Sequence, residues 1–149
     1  MRGGTMATVQ DILDIKGPDV VTLDATATVL EAAQRMNDRG IGSVVVLQTS
    51  AVVGIFTERD ILRRVVAERR DPARTAVGEV MTSPIITCRS EAALDECRAL
   101  ITDKRVRHLP VMREGQLCGL ITSGDILAHQ VREQQDTIQY LHNYMFDVR

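Results

Sequence analysis

The sequence predicts an α/β fold of the α+β kind, built from two copies of one βαββα unit. Three observations predict it. First, Gly54-Ile-Phe-Thr57-Glu-Arg-Asp60-Ile-Leu62 returns 65 residues later as Gly119-Leu-Ile-Thr122-Ser-Gly-Asp125-Ile-Leu127. Second, at that offset Val20–Leu62 aligns with Ile85–Leu127 without a gap, and ten of 43 positions are identical. Third, strand-like and helix-like apolar patterns follow one another in the same order in both copies.

Upstream of each copy, Val9-Gln-Asp-Ile-Leu13 answers Val77-Gly-Glu-Val-Met81. A three-residue shift is absorbed around Lys16-Gly-Pro18. Val20–Leu23 and Ile85–Cys88 are short and rich in β-branched residues, so they read as strands. Thr26–Arg39 and Glu91–Lys104 read as helices, because Val29, Ala32, Ala33 and Met36, and then Leu94, Cys97 and Ile101, recur at helical spacing. Ser43–Leu47 and His108–Met112 read as strands. Each is followed by a polar turn and a return strand, Val52–Phe56 or Leu117–Ile121, which makes a hairpin. A helix is expected to begin at Thr57 and again at Thr122, the second running long through Val131, Ile138, Leu141 and Met145. The organisation is then a disordered leader over 1–8, a first repeat over 9–67, a charged, Pro-interrupted linker over 68–75, a second repeat over 76–132 and a helical extension over 133–149.

Bulk composition narrows the function. Aromatic residues make up 3% of the 149-residue chain and Trp is absent, so the core is aliphatic and no platform stacks single-stranded bases. A net charge of −2 advertises no nucleic acid and no anionic membrane. Cys88, Cys97 and Cys118 form no Cys-x-x-Cys pair, which suggests buried reduced thiols rather than disulfides or a zinc site. Neither a signal peptide nor a membrane-spanning stretch is visible, so a cytoplasmic location is expected. Met6 reads as a second start, His129 and His142 as surface residues, and the scattered methionines as core filler.

Thr57–Asp60 and Thr122–Asp125 have two compatible readings. A Thr at an N-cap with an acid three residues on is close to a capping box, and capping alone accounts for each copy. Yet a strand running directly into a helix start presents free amides to a phosphate, and a short acid beside them can hold two ribose hydroxyls.

The duplicated unit, the Gly-x-x-Thr-x-x-Asp ending and the Val-x-acid-apolar-Met-Thr-x-Pro opening at Val77–Pro84 together resemble tandem cystathionine-β-synthase (CBS) domains, over about Val9 to Arg132. The first copy lacks the Thr-x-Pro after Leu13. The resemblance implies two repeats packed sheet-to-sheet as a pseudo-twofold module with two clefts between them. It implies that Asp60 or Asp125 holds a ribose and that Thr57 or Thr122 holds ribose or phosphate. Adenine then lies on the opening strand of the other unit. By that pattern Lys16, Gly17, Val21, Gly40 and Ile41 line the Asp125 cleft, and Thr82, Ser83, Pro84 and Ile86 line the Asp60 cleft. Arg107 and His108 are implied to point into the Asp125 cleft, which is therefore expected to favour a charged nucleotide, while Arg59 serves the Asp60 cleft. Lys104 and Arg105 read as a solvated helix end.

No Gly-x-Ser-x-Gly, His-Glu-x-x-His or Walker-type Gly-Lys motif is present, so binding is expected rather than catalysis, with no required cofactor or metal. The main expectation is a regulatory module binding AMP, ADP or ATP, with NAD(H) or S-adenosylmethionine as further candidates. It would dimerise with a second copy and signal to an effector protein. The alternative is an assembly module whose Thr-x-x-Asp elements only cap helices. A small enzyme is the third reading.

Overall fold

This computed structural model describes residues 6–146. Their order is α1 (Val9–Lys16), β1 (Thr22–Asp24), α2 (Val29–Arg39), β2 (Ser43–Gln48), β3 (Ala51–Thr57), α3 (Glu58–Asp60), α4 (Val77–Val80), β4 (Cys88–Arg89), α5 (Leu94–Lys104), β5 (His108–Arg113), β6 (Gln116–Thr122) and α6 (Ser123–Phe146). α3 passes directly into a π-helical stretch, Ile61–Val66. The βαββα order is present in both halves. The sequence patterns did not assign the short helices α1 and α4 that precede each half.

Among the described residues each half forms a three-stranded sheet. β1 runs parallel to β2, and β2 antiparallel to β3; β4, β5 and β6 repeat the arrangement. Ser43 pairs with Thr57, and His108 pairs with Thr122. The signature Thr of each half thus closes the return strand beside the first residue of the central strand. Both hairpins shift register at the same place, between Val46 and Leu47 and between Val111 and Met112.

Strand alternation explains the layers. Val44, Val46 and Phe56 pack with Val29, Ala32 and Met36 of α2. Leu109, Val111 and Ile121 pack with Leu94 and Cys97 of α5. The intervening residues Val45, Ile55 and Pro110 point to the opposite faces and are buried too. Both faces of each sheet are therefore covered, as packing of one half's sheet on the other's requires.

The opening helices are exchanged. Val9, Ile12 and Leu13 of α1 belong to the core of the second half. Val77 and Val80 of α4 belong to the core of the first. Backbone bonds fix the crossing symmetrically. Val9 N donates to Ala92 O at 3.0 Å and Leu94 N to Ala7 O at 3.0 Å; Val77 N donates to Ala27 O at 2.8 Å and Val29 N to Thr75 O at 2.8 Å. An acid three residues on accepts the N-cap amide of both helices: Thr8 N donates to Asp11 Oδ2 and Ala76 N to Glu79 Oε2, each at 2.9 Å.

The first residue of each signature makes this crossing possible. A Cβ on Gly54 would lie 2.5 Å from Met81 Sδ and 2.8 Å from Thr82 O. A Cβ on Gly119 would lie 2.7 Å from Leu13 Cδ2. Glycine is thus required by close approach, not by backbone angle.

Of the leader expected over 1–8, residues 1–5 lie outside the described residues, while Ala7 and Thr8 are tied to α5. The segment over 68–75 ends in the buried Thr75, and its Pro72 O and Thr75 O receive the N–H groups of Leu30 and Val29. All three cysteines are free thiols. His129 corrects the sequence reading: it is buried on α6, with Nε2 3.5 Å from the Glu133 carboxylate. Met145 is exposed, unlike the core methionine Met36. Among the described residues no helix is long and apolar enough to cross a membrane.

Because Gly54 meets backbone while Gly119 meets a movable Leu side chain, Gly54→Ala should destabilise the fold by about 1–3 kcal/mol. Gly119→Ala should cost less, as checked by urea unfolding of both variants.

Candidate functional site

The Thr-x-x-Asp elements cap helices in both halves. Thr57 N donates to Asp60 Oδ2 at 3.0 Å and Asp60 N to Thr57 Oγ1 at 3.3 Å. Thr122 N donates to Asp125 Oδ2 at 2.9 Å and Asp125 N to Thr122 Oγ1 at 3.1 Å. Glu58 N is taken by Gly42 O at 3.0 Å, and Ser123 N by Arg107 O at 3.0 Å. The first-turn amides that the sequence reading offered to a phosphate are thus largely engaged by the protein. Cationic side chains are the further donors available to an anion.

Those side chains surround Asp60. A cavity of about 500 Å³ opens between the halves. The first half contributes Gly42, Ile55, Thr57, Glu58, Arg59, Asp60, Leu62 and Arg63. The second contributes Thr82, Pro84, Ile86 and the run from Lys104 to His108. Of the residues expected here, Thr57, Arg59, Asp60, Thr82, Pro84 and Ile86 line the wall; Ser83 does not.

Arg107 and His108 adjoin Asp125 and line the Asp60 cavity as well. The resemblance pointed them at Asp125. Their backbone does adjoin Thr122 and Ser123, as a neighbour of Asp125 should. The side chain of His108, however, crosses to the first half, where Gly42 leaves room. The position a Gly42 Cβ would take is 3.4 Å from His108 Nε2 and 3.4 Å from the Glu58 carboxyl carbon. Lys104 and Arg105 also line the cavity rather than only capping α5. Arg105 holds the left-handed conformation at φ 55°, the counterpart of Gly40 at 63°. The basic run was legible in the sequence; the cleft it serves was not.

Asp60 is 4% exposed. Thr82 Oγ1 donates to its Oδ1 at 3.0 Å and Oδ2 at 3.2 Å, and Arg64 Nε stands 3.6 Å from Oδ1. A buried carboxylate with donors on both oxygens is held oriented.

Asp125 is partnered differently. Lys16 Nζ donates to its Oδ2 at 2.6 Å and to Leu120 O at 2.9 Å. Of the residues expected around Asp125, Lys16 therefore touches it directly. Gly17 and Gly40 follow the ends of α1 and α2 at φ 95° and 63°. Val21 and Ile41 pack against the core of the first half.

His108 lies in a mixed field. Burial is the main influence and pushes its pKa below the ordinary value. Glu58 and Asp125 oppose that shift, while Lys16 and Arg107 reinforce it. Among the described residues no cluster of His, Cys, Asp or Glu could hold a metal ion.

Comparison with known proteins gives a consistent picture. The CBS domain family matches residues 8–67 and 77–132. The chain is 30% identical to the mitochondrial CBS domain-containing protein CBSX3 of Arabidopsis thaliana, over 96% of this chain and 74% of that one. It is similar, at 37% identity and a TM-score of 0.83, to a candidate signal-transduction protein with CBS domains from Burkholderia ambifaria, covering 86% of this chain and 96% of that one. It is also similar, at 30% identity and a TM-score of 0.75, to a hexameric CBS-CP12 protein from bloom-forming cyanobacteria, covering 84% and 72%.

The lowered pKa of His108 has a definite sign. The unfolded chain takes up its proton near pH 6.5, whereas the folded chain resists it to lower pH. Stability should therefore be full above about pH 6.5 and fall as pH drops below it. His108→Gln should flatten that part of the profile, measured by chemical denaturation at pH 7.5 and pH 5.5.

Proposed function

The chain belongs to the CBS domain family, with the domain present twice, and from this premise we propose that it is a regulatory module binding an adenosine nucleotide in the Asp60 cleft. The observation that carries the reading is the cavity itself. Its volume falls within the range of small-molecule sites, roughly 300–1,000 Å³. Its chemistry divides as a nucleotide does. Asp60 and Thr57 offer acceptors and a hydroxyl to the ribose. Ile55, Leu62, Pro84, Ile86 and Val106 offer apolar surface to the base. Arg59, Arg63, Lys104, Arg105 and Arg107 supply cations for phosphates.

The cations rank phosphorylated ligands, AMP and ATP first and NAD(H) next, above the cationic S-adenosylmethionine. On this reading the charged ligand sits at Asp60, where the sequence alone favoured Asp125. A ligand seated here touches both halves, so its binding favours one arrangement of the halves over others, and an effector protein can read that shift.

Titration calorimetry with AMP, ADP, ATP, NADH and S-adenosylmethionine tests the reading. Asp60→Ala should weaken binding on the order of 100-fold or more, as expected for loss of charge-assisted hydrogen bonds worth about 3 kcal/mol. Arg107→Ala should weaken ATP more than adenosine. Absence of heat with all five compounds would sink the proposal.

A second reading, assembly with another copy of this chain, is favoured by α6. Every residue from 131 to 145 is exposed. A free helix of that length is marginal in water. Leu127, Val131, Gln134, Ile138, Leu141 and Met145 are spaced four and three residues apart by turns, the pattern of a coiled-coil seam. The flanking positions Ala128, Gln130, Gln135 and Thr137 are uncharged, so a second copy meets no like-charge repulsion. The double variant Ile138→Asp, Leu141→Asp should lower the mass seen by light scattering while leaving nucleotide binding intact. An unchanged mass would assign the contact elsewhere.

A further inference from the structure

We infer that Lys16 is a built-in occupant of the second cleft, and that it restricts the wild-type chain to one nucleotide, bound at Asp60. This rests on the nucleotide reading above. The two clefts are related by the repeat, so the same pair of acceptors recurs in each. In the first half these are the carboxylate of Asp60 and the carbonyl of Ile55. In the second they are the carboxylate of Asp125 and the carbonyl of Leu120, each 65 residues on.

What satisfies these acceptors differs. At the first cleft one residue, Thr82, serves both. Its backbone N–H donates to Ile55 O at 2.8 Å, and its hydroxyl donates to Asp60. At the second cleft the ammonium of Lys16 does both tasks with a single group. It lies 2.9 Å from Leu120 O and 2.6 Å from Asp125 Oδ2. The two lining segments come from the exchanged openings of the opposite halves. Thr82 stands two residues after α4, whereas Lys16 is the last residue of α1 and needs its full side chain to reach.

The substitution changes the chemistry of the site. A hydroxyl is neutral. It adds no charge beside Asp60, whose neighbouring cation is the Arg64 guanidinium at 3.6 Å, and it can rotate to let a sugar hydroxyl take its place. An ammonium at 2.6 Å neutralises Asp125 and fills the position a ribose hydroxyl would need. A ribose brings no charge with which to replace it, and a carboxylate stripped of its cation in a partly buried site is disfavoured. The side chains of Lys16 and Asp125 are 32% and 25% exposed, so the pair is shielded but not sealed.

The same contact accounts for where the free cations lie. Lys16 is committed to Asp125. The cations of the Lys104–Arg107 run line the Asp60 cavity instead. Cations for phosphate and a ribose acceptor with no ammonium bonded to it thus coincide at Asp60.

The test counts sites by titration calorimetry with AMP and with ATP. The wild-type chain should bind one equivalent, lost in Asp60→Asn and retained in Asp125→Asn. Lys16→Met and Lys16→Gln, which keep length but remove charge, should each bind one equivalent more, and that added site should vanish when Asp125→Asn is combined with either. Lys16→Arg should match wild type. A wild type that binds two equivalents overturns the inference, as does a neutral variant that gains none. If the wild type binds none and Lys16→Met binds one, the Asp60 reading fails while the role of Lys16 stands. If both bind none, both fall.

Discussion

The structure depends on the close passage of each half's opening segment over the other half's return strand. Gly54 and Gly119 are the points of contact, and a side chain at either would collide with what crosses there. From that passage follow the exchanged core helices, the symmetric backbone bonds that hold them, and the placement of Thr82 and Lys16 over the two carboxylates. The cleft is therefore a by-product of core packing. Residues that line it are positioned by segments whose other side is buried apolar surface, which gives the site a rigid floor.

The cleft's electrostatics come from both halves at once. Asp60 and its cap belong to the first half, and much of the cationic rim belongs to the second. Opposite charges are thus held apart across a cavity, where an intervening molecule that carries both a hydroxyl-rich and an anionic end can satisfy each. Burial of Asp60 and the bond from Thr82 keep its oxygens aimed, with the Arg64 guanidinium at 3.6 Å and no ammonium bonded to them. Asp125 has such an ammonium, and the two signatures, equal as sequence, are unequal as chemistry.

Much of this was legible in the residues. The offset of 65 gave the repeat, and alternation and helical spacing gave the sheets and α2 and α5 within a few residues. The capping role of Thr57 and Thr122 followed from spacing alone and is present in both halves. What the patterns could not supply was partnership over distance. Nothing local in Val9–Leu13 says that its apolar face belongs to the core of the other half, because any amphipathic turn fits any complementary groove. Likewise β5 places the backbone of Arg107 beside Ser123, while the direction of His108 is decided by the missing side chain at Gly42, 66 residues earlier. The reach of Lys16 to Asp125 was expressed only as shared lining, since a flexible side chain's final partner depends on which acceptor is left unbonded.

The exchange of opening helices bears on how such a chain could arise. A single βαββα unit carrying its own opening helix has an incomplete core, because its helix is shaped to finish a different unit. Such a unit closes its core only by trading helices with a twin. Two separate copies of such a unit would complete each other by a symmetric exchange, and joining them turns an intermolecular exchange into an internal one. Once joined, the twins no longer have to be identical, and a lysine can enter one side without entering the other.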